Sequence, residues 1–65
     1  MPCYLIRCQV SSMPSDFVGR YTKYAHDEAA ALDCLARKNS NYSKKTNSAV
    51  DSKGNTLTVL DIKKI

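Results

Sequence analysis

Residues 3–10, CYLIRCQV, alternate in character along the chain. Tyr4, Ile6, Cys8 and Val10 fall on one side of an extended backbone, and Cys3, Leu5, Arg7 and Gln9 on the other. This predicts a strand. Its first face is the one expected to be buried, because the second carries Arg7 and Gln9. The following SSMPSD supplies Ser, Pro and Asp at turn positions and ends the strand.

The stretch GRYTKYAHDEAAALDCLARKN, residues 19–39, admits two readings. In the first, one helix over 15–38 gathers Phe17, Val18, Tyr21, Tyr24, Ala25, Ala29, Leu32, Leu35 and Ala36 on one stripe. It also puts Glu28 in the middle of that stripe and Gly19 inside a helix, at a cost of about 1 kcal/mol relative to Ala. In the second, a strand covers 17–25 and a helix follows over 27–38. Phe, Val, Tyr and Thr suit a strand, and Gly19 marks a bulge or a close approach. Asp27 becomes the N-cap and Glu28 lies in the first turn, where the helix dipole favours a negative charge. Arg37 and Lys38 suit the other end, and Asn39 terminates it. The strand alternates imperfectly, since Lys23 shares a side with Tyr21 and Ala25. The second reading explains more of the polar placements and is adopted. Its helix buries Ala31, Leu32 and Leu35 together with Ala29 or Ala36, with Cys34 toward the edge.

NSNYSKKTNS has no apolar period and reads as a mobile connector. Its Asn41-Tyr42-Ser43 matches a glycosylation sequon, a match too frequent by chance to use without an export signal. NSAVDS is a weak strand, KGN a tight turn at Gly54 and Asn55, and TLTVLDIKKI a second strand of a hairpin. In that last strand Val59, Leu60 and Ile62 are the expected burying residues, although their parity is mixed. A bulge near Leu60 would reconcile them.

The predicted fold is therefore α+β: an antiparallel sheet of three to four strands with one helix packed on one face, in the order ββαββ. The runner-up is βαββ with a longer helix from Ser15. At 65 residues the chain forms one small domain. Such a chain buries only about 60% of its unfolded surface, so a homodimer or a bound partner would help to hold its thin core. Small size also favours binding over catalysis.

No apolar run approaches the roughly 18 residues of a membrane span, and the opening MPCYLIRCQV lacks the pattern of an export signal. The expected compartment is the cytoplasm. Three cysteines, Cys3, Cys8 and Cys34, are an odd number and argue against a disulfide framework. With His26 they could make a zinc set. However, no tight C-x2-C knuckle is present, and Cys3 and Cys8 point to opposite faces of a strand. The expectation is reduced, apolar-packing cysteines, with no metal and no cofactor. His26 and Cys34 are eight residues apart, about 12 Å along a helix, too far for a catalytic pair. No phosphate loop, H-x-x-x-H or Ser-His-Asp set can be assembled, so no enzyme is expected.

The net charge of +4 is uneven: residues 1–36 carry three basic against four acidic groups, residues 37–65 seven against two. A basic half suits an acidic partner. Basic and aromatic groups also interleave: Arg20, Tyr21, Lys23 and Tyr24 in one segment, and Tyr42, Lys44 and Lys45 in the connector. Such mixtures contact single-stranded nucleic acid or a protein surface. Arg20, Lys23, Tyr42, Lys44 and Lys45 are the expected contact residues.

The segments YLIRCQV, KYAHDEAAAL and DSKGNTLTVLDI resemble, at the level of architecture, small phage-encoded inhibitors such as type I-F anti-CRISPR proteins. That resemblance implies a non-enzymatic viral or mobile-element protein acting in the host cytoplasm. It would dock on a nucleic-acid-processing protein or ribonucleoprotein complex and compete with its substrate. The resemblance transfers no site residue. The same outline also looks like ribosomal-protein-type domains that bind RNA directly, which carry more basic groups than this chain does.

Overall fold

A computed structural model describes residues Met1 to Ile65. The elements run β1 (Cys3–Val10), β2 (Gly19–Tyr24), α1 (Glu28–Asp33), β3 (Ser48–Val50) and β4 (Thr56–Lys64). The strands form one antiparallel sheet in the order β2-β1-β4-β3. The coarse α+β expectation therefore holds, with all four strands present and a single short helix. The reading with an unbroken helix from Ser15 does not hold, because residues 19–24 are extended and paired to β1. No helix is long and apolar enough to cross a membrane.

Alternation along β1 sets the core. Tyr4, Ile6 and Cys8 are buried, and they pack with Ala25, Ala31, Leu35, Ala49, Leu57 and Val59. Leu5 and Cys3 are partly covered on the opposite face, where Arg7 and Gln9 are exposed. The strand β2 is shorter than expected: Phe17 and Val18 lie outside it and are exposed. Gly19 is the close approach. A Cβ there would meet the Tyr21 ring at 3.0 Å and Val10 Cγ2 at 3.2 Å.

Asp27 caps α1 in extended geometry, its carboxylate accepting from the Ala30 N–H at 2.8 Å. The helix then stops after six residues, short of the predicted Arg37 and Lys38. The Cys34 N–H is shared between the Ala30 and Ala31 carbonyls. Leu35 and Ala36 donate to the carbonyls three residues back, the tighter spacing of a closing turn. The Arg37 N–H then donates to the Val50 carbonyl of β3 at 2.8 Å, and the chain leaves the helical path. Ala31 and Leu35 reach the core, whereas Leu32 and Ala36 are only half-buried.

The connector is tied down at both ends. The Tyr42 N–H donates to Asp33, and Ser43 pairs with Ser48. Asn47, at φ 54°, accepts from the Val59 N–H through its carbonyl and donates from Nδ2 to the Val59 carbonyl at 2.8 Å. These bonds anchor Tyr42, Ser43 and Asn47 within an otherwise irregular connector.

The β1–β4 register slips between Arg7 and Cys8: Arg7 faces Asp61 and Cys8 faces Val59, leaving Leu60 as the extra residue. This is the anticipated bulge, and it moves the burial. Leu57 and Val59 are core, Ile62 is half-buried opposite Ile6, and Leu60 is 48% exposed rather than buried. The β3–β4 turn uses Gly54 at φ 84°, with Asp51 accepting from the Lys53 and Asn55 N–H groups.

Candidate binding surface

One face of the sheet is covered by α1 and its flanking turns; the other is open except at its Gln9 end, where the Gln9 amide donates to the Ser15 carbonyl of the β1–β2 loop. Register assembles that open face in rows. Arg20 of β2 lies opposite Arg7 of β1, which lies opposite Asp61 of β4. The next row is Thr22, Leu5 and Lys63, and beyond it Tyr24 stands opposite Cys3. Arg7, Arg20, Leu5, Asp61 and Lys63 line a shallow depression of about 320 Å³.

The electrostatics of the first row are asymmetric. Arg7 Nε donates to both Asp61 oxygens at 2.9 Å, and Nη2 closes an ion pair with Oδ2. Hydrogen bonding from Arg7 pulls the Asp61 carboxyl below its usual range and raises the guanidinium in turn. This is the only ion pair in the molecule; Arg20 makes none, and Lys63 reaches Asp61 only through its longer-range charge. The open face thus sets three cations against one carboxylate, flanked by Leu60 and by Tyr24, which is 66% exposed.

A second concavity lies on the helix side. A groove of about 550 Å³ runs between the β1–β2 loop and the β3–β4 turn, with Phe17, Tyr21 and Leu57 in its wall and Lys23, Arg37 and Lys53 around it. Asp51 lines it too, but its carboxylate is held by the turn, and the Asn55 N–H is the chief cause of its lowered pKa. Burial, then the charges of Cys8 and Asp51, raise the Tyr21 hydroxyl.

The five residues singled out from the sequence do not form one surface. Arg20 is on the open face. Lys23, three positions on, has the opposite parity; it pairs with buried Tyr4 and lines the helix-side groove. Tyr42 and Lys44 border a separate hollow of about 420 Å³ beside Glu28, Ala29, Leu32 and Asp33. The Tyr42 hydroxyl is engaged by Asn47, so that side chain is part of the loop's own framework. Lys45 is exposed on the same loop. Sequence reasoning grouped Tyr24 with Arg20 but missed Lys63 and Leu5 as their neighbours. The signal was present in the even–odd alternation of β1, but the register of β2 and β4 against it was needed to use it.

The thiols are distributed rather than gathered. Cys8 is fully buried, and burial together with the Asp61 charge pushes its thiol up to about 11. Cys3 is half-buried on the other face of β1, and Cys34 is exposed after α1. No three His, Cys, Asp or Glu side chains come together as metal ligands. Compared with family models, curated proteins and solved structures, the chain matches none. What the fold itself defines is a small α+β domain with an open-faced antiparallel sheet.

Proposed function

We propose that this protein is a non-enzymatic binding module that docks on an anionic macromolecular surface through the open face of its sheet. The observation that supports this reading is the Arg20–Arg7–Asp61 row. Like charges directly across a ladder oppose folding, and the single carboxylate satisfies only one of them. An acidic partner would supply the missing counter-charge, with Lys63 one row away and Tyr24 and Leu60 as amphipathic and apolar contacts at the margins. A nucleic-acid-processing complex, the target implied by the resemblance to phage inhibitors, presents such surfaces on both its protein and its nucleic acid.

The test is an anisotropy titration of labelled polyglutamate and of single-stranded RNA at two salt concentrations. Both should bind at low salt and weaken steeply as salt rises. The double variant Arg20→Glu, Lys63→Glu should weaken binding by about tenfold or more, while Lys44→Glu, Lys45→Glu should leave it nearly unchanged. If neither polymer binds at low salt, or if only the loop variant loses affinity, the open face is not the contact.

A further inference from the structure

β2 is an edge strand: it pairs with β1 on one side and with nothing on the other. The direction of its free backbone groups follows from its neighbours. The Ala25 N–H donates to the Pro2 carbonyl, and the Ile65 N–H to the Cys3 carbonyl. Even-numbered residues of β1 therefore bond toward β2 and odd-numbered ones toward β4, by the strict alternation of an antiparallel ladder. Tyr4 and Ile6 engage Lys23 and Tyr21. The N–H and C=O groups of Arg20, Thr22 and Tyr24 consequently point outward, and no other element of the molecule bonds to them.

The sequence of this edge is self-complementary. An antiparallel copy of β2 centred on Thr22 aligns Arg20 with Tyr24 of the second copy, Thr22 with Thr22, and Tyr21 with Lys23. Each outward-pointing residue then meets another outward-pointing one, as the hydrogen-bonding pattern requires. Every cation faces an aromatic ring, on the open face through Arg20 and Tyr24 and on the helix side through Lys23 and Tyr21. The axis carries a Thr–Thr pair, which hydrogen-bonds well across strands. No like charges oppose one another in this register. A shift of two residues in either direction loses both kinds of pair, so the register is specified as well as the orientation.

We propose that the second copy of this chain is the partner of the β2 edge, forming a two-fold dimer with one sheet continuous across both copies. The chain has reason to use one. Only 10 of its 65 residues are buried and its cysteines are unpaired, and small domains without staples gain most from association. The opposite edge, β3, offers only three residues. This proposal does not depend on what the open face binds. It would place the two copies' Arg20 side chains on the same face, on either side of the axis.

Sedimentation equilibrium over micromolar to millimolar concentrations, combined with amide hydrogen exchange, tests it. Wild-type protein should dimerise reversibly, and the Thr22 and Tyr24 amides should become protected as concentration rises. Thr22→Lys sets two cations opposite each other at the axis while changing only an exposed side chain in the monomer. It should weaken association by about tenfold or more. Thr46→Lys, exposed on the connector away from this edge, should not weaken it. A wild-type protein that stays monomeric with these amides unprotected overturns the proposal, as does a dimer indifferent to Thr22→Lys. Exchange in the wild type decides the matter even if the variant folds poorly.

Discussion

Arg7 stands directly across the β1–β2 ladder from Arg20, and only Arg7 has a carboxylate in reach. The fold tolerates an opposed pair of guanidinium groups at this point. Replacing Arg20 by Thr removes the repulsion and installs a better strand former. The urea midpoint of Arg20→Thr should therefore rise slightly at low salt, with the gain shrinking as salt screens the charges. The same variant should bind polyanions more weakly. A midpoint that falls at concentrations where the chain is monomeric would mean that Arg20 serves the fold rather than a partner.

The two faces of β4 can be separated by truncation. Leu57 is 1% exposed and packs at the centre of the core, so Leu57→Ala should cost about 2–5 kcal/mol. That is a large share of the stability of so small a domain. Leu60→Ala, three residues on, should stay within about 0.5 kcal/mol of wild type. Equal losses in urea denaturation would place Leu60 inside and remove the bulge.

Asn47 combines a left-handed backbone with a two-way bond to Val59. Asn47→Ala forces an unfavourable φ and strips the Nδ2 donor from the Val59 carbonyl, costing about 1–3 kcal/mol. Asn47→Gly keeps the backbone and loses only the side chain, so its loss should be the smaller of the two. If thermal melts rank them the other way, the backbone conformation is not what holds this residue.

Acid should weaken the fold through Asp51 and Asp61. Backbone N–H donation from Asn55 lowers the first and the Arg7 hydrogen bond lowers the second. A carboxylate whose folded pKa is depressed adds stability that is present above its unfolded pKa and lost as pH falls through the folded value. The urea midpoint should hold above about pH 5 and drop below about pH 4. Asp61→Asn should flatten the drop. An acid limb unchanged in that variant would assign it to other groups.

The three thiols should react in order of exposure. Cys34 alkylates first, Cys3 more slowly and Cys8 only on unfolding. Its thiolate at neutral pH is about two orders of magnitude scarcer than that of a free cysteine, in addition to its burial. Mass spectrometry of native and denatured samples reads this directly, and early labelling of Cys8 would contradict the core described above.

Much of this architecture was readable from local pattern. The alternation of Tyr4, Ile6 and Cys8, the Asp27 cap and the bulge at Leu60 each depend on residues within a few positions of one another. The length of α1 was not readable in this way. Leu35, Ala36 and Arg37 are good helix formers, but the Arg37 N–H finds the Val50 carbonyl, a partner distant in sequence that no helical period announces. The open-face grouping of Arg20 with Lys63 failed to emerge for a related reason. Arg20 and Lys23 are close in sequence, yet an odd separation on a strand sends them to opposite faces. Lys63 joins Arg20 only through two successive strand registers.

The extra residue at Leu60 uncouples two stretches of one strand. Before it, inward positions are fixed by Leu57 and Val59; after it, the count restarts, so that Asp61 and Lys63 look outward. Substitutions among residues 61–65 can thus retune the charge of the exposed side without disturbing the hydrophobic phase of residues 56–59. Flattening the bulge with residue 60 retained would do the reverse, swinging a carboxylate toward the interior and a half-buried isoleucine toward water, whereas excising residue 60 would leave Asp61 outward and Ile62 inward.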